Sequence, residues 1–214
     1  MLFDGRHHKT GLKVIAIIAI IAFAGFGLVA GFLAVGGGCG AADPLAQAVS
    51  DAQARVQQGA TAVSTAQAAL KKAPKNNQAK KDLTQARNDL GQARISLAQA
   101  LLAANPQDPQ ALTTALAAAK NAPGDLDVVL GLVTVSTSQN NPGAALPALQ
   151  AYTARNPKDA QAYAYWGQVA EQAGERNQAV LAYQRFLELA PDDTLAPDIR
   201  NRLDALASSA TTTG

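Results

Sequence analysis

The side chains that most often carry chemistry are scarce in these 214 residues and poorly placed for it. The two histidines, His7 and His8, are neighbours near the N-terminus, and no imidazole follows Lys9. A Ser-His-Asp or Cys-His site in the main body is therefore excluded. The one cysteine, Cys39, makes neither an internal disulfide nor a cysteine-rich zinc site. The glutamates are Glu171, Glu175 and Glu188, all within one short stretch. The glycines around Cys39, at 36–38 and 40, follow an apolar segment rather than a strand, so they are not a phosphate-cradling fingerprint. These absences predict a protein that is not an enzyme, with no catalytic residues, no cofactor and no metal.

One concentration of charge stands out. Lys71, Lys72, Lys75, Lys80 and Lys81 fall within eleven residues, with Asp82 the only acid nearby. A functional reading is a contact point for an anionic partner such as a wall polymer, a lipid head group or an acidic protein. The plainer reading is a loop tip kept soluble by its charge. Overall charge adds little. The net +2 resides in residues 1–13, where Arg6, Lys9 and Lys13 face Asp4, and the rest of the chain is balanced. No nucleic-acid-binding surface is implied.

The elements that must position these residues are helical by composition. The chain is 48% hydrophobic but only 5% aromatic, and 48 residues are alanine. Alanine has the best helix propensity and almost no bulk, which suits closely packed helices. It does not supply the β-branched and aromatic runs that a sandwich or barrel needs.

Residues 14–35 are 22 consecutive residues without a charge. As a helix they would span roughly 33 Å, enough to cross a bilayer core. Basic residues precede the segment, and none follows until Arg55. The positive-inside rule then places a basic tail, 1–13, in the cytosol and residues 36–214 outside it. An uncleaved signal anchor in the plasma (inner) membrane is the favoured reading. A cleaved signal peptide fits less well, because signal h-regions run roughly 7–15 residues. Lipidation of Cys39 is a third reading, although the glycines before it match a lipobox poorly. Gly27 and Gly31 form a small-xxx-small pair of the kind that pairs membrane helices, but glycine is common in such helices.

A glycine-rich linker over 36–43 leads into a long helical stretch. Val49, Val56, Val63 and Leu70 repeat every seven residues, with Ala52, Gly59 and Ala66 between them. That is a heptad seam. Turn chemistry at Ala73-Pro74-Lys75-Asn76-Asn77 ends the first helix. A second runs to Ala104 with the seam Leu83, Ala86, Leu90, Ala93, Leu97, Ala100, Ala104. Two such helices joined by a short turn predict an antiparallel, coiled-coil-like hairpin over 44–104.

A 34-residue period follows. Pro123, Pro157 and Pro191 share it, as do Ala111, Ala145 and Ala179, and Ala118, Tyr152 and Phe186. Such a period is the mark of stacked helix–turn–helix units. Residues 160–193, from Ala160 through Tyr163, Trp166-Gly167, Gly174, Ala179, Tyr183 and Phe186 to Pro191, resemble a tetratricopeptide repeat throughout. Residues 126–159 are a degenerate copy carried by Leu132, Ala145, Leu149, Tyr152 and Pro157, with Val133 where the family usually has glycine. Residues 92–125 fit more weakly, and their first helix would be the end of the hairpin. A capping helix closes the stack near 197–207, and residues 208–214 form a polar tail.

The predicted fold is thus all-α: a transmembrane helix, a long antiparallel αα-hairpin, then a short repeat solenoid over 92–207 with a C-terminal cap. The family resemblance implies a protein-binding groove lined by the first helix of each repeat. In the best repeat that face carries Gln161, Ala164, Gln168, Glu171 and Gln172. In the preceding one it carries Asp127, Leu130, Thr134, Thr137 and Ser138. The basic residues of a carboxylate clamp are missing from these faces. The resemblance implies an extracytoplasmic interaction scaffold or assembly factor in the bacterial envelope, gripping a protein or peptide partner. The alternative is a structural homo-oligomer assembled through the hairpin, with no dedicated groove.

Overall fold

The computed structural model describes residues 43–208. The basic tail, the apolar segment at 14–35, most of the linker with Cys39, and the tail at 209–214 lie outside the described residues. Among those described there are no strands. The helices are α1 (Pro44–Lys72), α2 (Asn77–Ala104), α3 (Pro109–Asn121), α4 (Leu126–Ser138), α5 (Leu146–Arg155), α6 (Ala160–Gln172), α7 (Arg176–Leu189) and α8 (Ala196–Ser208). A single 3-10 turn, Pro142–Ala145, leads into α5. None of these helices is long and apolar enough to cross a membrane.

Two turn chemistries decide where each helix stops, and they alternate from residue 122 onward. The first is a four-residue module, x-Pro-x-Asp or x-Pro-x-Asn, used at 73–76, 105–108, 122–125, 156–159 and 190–193. In each, the first residue caps the preceding helix by bonding back to the carbonyl four residues earlier, at 2.8–3.1 Å. Proline then fixes φ for the second position of a turn. The fourth residue closes that turn with its own N–H, at 2.9–3.2 Å. In the first four its side chain accepts from backbone N–H groups at the start of the next helix: Asn76 from Gln78 and Ala79, Asp108 from Gln110, Asp125 from Val128, Asp159 from Ala162; Asp193 accepts from Leu195, just before α8. One residue thus ends a turn and satisfies orphan donors of a helix. The second chemistry places a left-handed residue between paired helices, Asn140 at φ 54° and Gly174 at φ 75°. The N–H after each reaches back five residues in register, Asn141 to Ser136 and Glu175 to Ala170, both at 2.8 Å.

Packing runs from neighbour to neighbour. The helix α1 lies along α2, α2 along α3 and α4, α4 against α5 and the 3-10 turn, these against α6, α6 on α7, and α7 on α8. Each unit leaves an apolar face that only the next can cover. The heptad seam of α1 is half-covered: Val49, Val56, Val63 and Leu70 are partly buried and Ala52 is buried. The backbone of α1 approaches closely at Gly59, where an added Cβ would sit 3.2 Å from the Leu90 Cα.

The second arm departs from the expected single seam. Leu83, Ala86 and Leu90 are buried against the hairpin partner, but Ala93, Leu97 and Ala100 are only half-buried and Ala104 is exposed. From Gly91 onward the buried residues are Ile95, Ala98 and Leu101. The reason is a change of neighbours, since α3 and α4 now cover that side of α2. The main core starts at Ile95 and continues to Ile199; the buried residues nearer the hairpin tip are not part of it. Residues 77–90 therefore stand clear of the stack by about 21 Å at 1.5 Å per residue.

Candidate functional site

The structure divides the expected groove residues into those free to meet a partner and those already committed. On α6, Gln161 and Gln172 are exposed and Gln168 is half-buried. On α4, Leu130 and Thr134 are half-buried, and the Thr134 hydroxyl donates to the Leu130 carbonyl at 3.0 Å. Asp127 and Ser138 are exposed and Thr137 is half-buried on the same helix. Two residues need correction. Ala164 is only 4% exposed and is part of the core, because a helix with neighbours on several sides buries most of its circumference. Glu171 is on the surface, but its carboxylate is occupied.

Glu171 Oε2 accepts from the Tyr183 hydroxyl at 2.7 Å and from Arg202 Nη1 at 2.9 Å. These contacts tie α6, α7 and α8 together at one oxygen. Arg176 adds a bond from Nη2 to the Ala207 carbonyl at 3.3 Å, so the capping helix is held to the last repeat at two points. Glu171 therefore holds the cap in place, and reversing its charge would set it against Arg202. The tie was invisible to a one-repeat reading, because Arg202 is 31 residues away in sequence.

A parallel arrangement occurs one repeat earlier. The Tyr152 hydroxyl donates to Asp159 Oδ2 at 2.8 Å, so the residue that caps α6 also anchors α5. Burial, then the bond to Asp159 and its charge, push the Tyr152 hydroxyl up to about 12. Burial, then the bond to Glu171, push Tyr183 up as well, with Arg202 partly opposing. Both folded-state values exceed the ordinary tyrosine value, so the neutral hydroxyls contribute stability that is complete below about pH 10. That contribution disappears as pH rises from about 10 toward 12 and beyond. A Tyr152→Phe, Tyr183→Phe double variant should show a shallower fall of urea midpoint over that alkaline range. An unchanged slope would show that these hydroxyls are not the linked groups.

Aromatic residues gather beside the groove face without forming a binding box. Tyr163 and Trp166 rings lie 6.0 Å apart at 33°, and Tyr165 is 6% exposed. Gln161 Nε2 donates to the Tyr165 hydroxyl at 3.4 Å. Among the described residues, the Trp166 Nε1 is buried without a hydrogen-bond partner.

The basic tip forms a separate site. Lys71 and Lys72 end α1, Lys75 lies in the turn, and Lys80 and Lys81 follow the start of α2; all five are exposed. A shallow open depression is lined by Lys80, Lys81, Thr84 and Gln85. The tip residues and the α4 and α6 faces are on different elements, the tip being carried by the end of α1, the turn and the start of α2.

No protein-family model matches the chain, and no curated protein matches it. A solved structure described as "MamA RS-1 ArsTM double mutant" is similar at 19% identity, over 80% of this chain and 93% of that one, with a TM-score of 0.40. The assignment to an all-α stack of helix–turn–helix units rests on the helices, their turns and their packing.

Proposed function

We propose that this chain is a membrane-anchored helical-repeat scaffold that holds a protein or peptide partner outside the cytosol. The anchor is the apolar segment at 14–35, spanning the plasma (inner) membrane once. The resemblance of residues 160–193 to a tetratricopeptide repeat supports protein binding over catalysis. The observation that carries the reading is the first-helix surface of the two best repeats. It offers Gln161 and Gln172, exposed, and Gln168, partly exposed, on α6, with Leu130 and Thr134, partly exposed, on α4. These residues suit hydrogen bonding to an extended backbone and shallow apolar contact, with no fixed charge to demand a charged partner.

Crosslinking in intact cells, followed by capture on a C-terminal tag and mass spectrometry, tests the proposal. One recurrent envelope protein is the expected result. A Thr134→Arg, Gln168→Arg variant should reduce its recovery by about tenfold, the loss of roughly 1.4 kcal/mol that one blocked contact region represents. Its helical circular dichroism should remain that of the parent. Recovery of the chain crosslinked only to itself would overturn the scaffold reading in favour of a homo-oligomer. That second reading draws on the outer side of α1, where residues 56–70 carry no charge. Protease added outside the cytoplasmic membrane should reach residues 44–214; full protection would overturn the topology.

A further inference from the structure

The basic tip is more specialised than a solubilising loop requires. Five of the seven lysines between residues 43 and 208 lie within 71–81. Among the described residues the ion pairs are Arg185–Glu188 and Arg202–Glu171, and neither involves a tip lysine. The nearest acid, Asp82, accepts from Gln78 Nε2 at 2.7 Å. The first turn of α2 has no acidic residue, and Lys80 stands at its end, where the helix dipole disfavours a cation. Lys71 and Lys72 are in the last turn of α1, where the dipole favours them, but five cations beside one acid still repel, and an anionic partner would relieve that repulsion.

The shape narrows the partner. The tip ends an arm that stands about 21 Å clear of the repeat stack. Its lysines are spread over both arms and the turn, Lys71 and Lys72 on α1, Lys75 between the arms, and Lys80 and Lys81 on α2. A flexible chain can follow lysines from one arm through the turn to the other, whereas a planar surface meets only the end of the arm. No aromatic residue lies between 43 and 151, and Leu70 is half-buried in the seam, so the tip has no apolar wedge for a bilayer. All five cations are lysine, which acts as a point charge, so the tip has none of the paired donors with which arginine grips a single planar anion.

We propose that the hairpin tip is a docking site for a flexible linear polyanion, held by Lys71, Lys72, Lys75, Lys80 and Lys81. Binding is electrostatic and tolerant of chain sequence. It weakens as salt rises, because each neutralised anion releases a counterion. The inference is independent of the groove, since the two sites share no residue and no helix face.

The test uses the full chain in non-ionic detergent and labelled long-chain inorganic polyphosphate, with anisotropy read from roughly 50 to 200 mM salt. The parent should bind, with log affinity falling linearly against log salt. Lys71→Gln, Lys72→Gln, Lys75→Gln, Lys80→Gln and Lys81→Gln together should weaken binding at least about tenfold and flatten the salt slope. Control replacement of Lys120 and Lys158 by glutamine should leave the tip's share of binding intact. If the five-fold variant loses helicity, the pairs Lys71→Gln, Lys72→Gln and Lys80→Gln, Lys81→Gln should each give a partial loss. Equal binding by parent and variants would overturn the proposal, as would no binding at low salt. Tip-dependent binding to vesicles of anionic lipid, with none to polyphosphate, would overturn it in favour of a membrane contact.

Discussion

Gly167→Val should cost about 3 kcal/mol, the upper part of the range for overpacking a filled core. A Cβ built on Gly167 runs into the ring carbons of Tyr183. The ring has nowhere to retreat, since Tyr183 is fully buried and its hydroxyl is fastened to Glu171 at 2.7 Å. Any side chain at 167 therefore pushes α6 away from α7 or breaks the link to the cap. Urea denaturation should show a lower midpoint for the variant. Gly124→Ala is the matched control, because nothing lies within 4 Å of a Cβ there. A Gly167→Val midpoint equal to the parent's would mean that α6 and α7 do not meet this closely.

The second large effect is expected from Phe186→Ala. The ring is 1% exposed and shares its repeat position with Ala118 and Tyr152, also buried. Removing a fully buried phenylalanine ring costs about 3–5 kcal/mol, as lost transfer energy plus the cavity left behind. The location of that loss is as informative as its size. Most contacts of α7 are with α6 and α8, beside one hydrogen bond from Gln150 on α5 to Gln178, so damage on α7 should be felt by α6 and α8 first. Hydrogen exchange should show these three helices losing protection while α1 and the distal part of α2 retain theirs. Simultaneous loss in every helix would show that the hairpin and repeats unfold as one unit.

The helical class and the repeat were legible because they are written in periodic residues. Ala111, Ala145 and Ala179 recur every 34 residues and all have zero exposure, as small residues do where two helices cross. The valine seam of α1 was legible for the same reason, since a heptad names the side that meets one partner. The second face of α2 was not, because Ile95, Ala98 and Leu101 answer to α3 and α4, and a heptad reading assumes one neighbour. Asp125, Asp159 and Asp193 share the 34-residue spacing, the first two holding helix starts and the third the turn before α8, but a polar repeat of this kind leaves no mark in the apolar periodicity. At the candidate groove, sequence alone placed residues on a helix face but could not tell which were taken. Glu171 is engaged by a residue beyond its own repeat, and Ala164 is covered because α6 has neighbours on several sides.

The shared arm α2 has a mechanical consequence. It is one unbroken helix of 28 residues, about 42 Å long, accompanied only by α1 over its first half and clamped by the repeat stack as well over its second. A rod held this way is a lever. Its fulcrum is near Gly91, where an added Cβ would stand 3.0 Å from both the Ala122 Cβ and a Val128 methyl. So tight a bearing leaves little slack for the rod to tilt alone. A sideways load on Lys75 therefore reaches α3 and α4 as a torque, with free and clamped lengths nearly equal, and turns the first repeat instead of bending the arm.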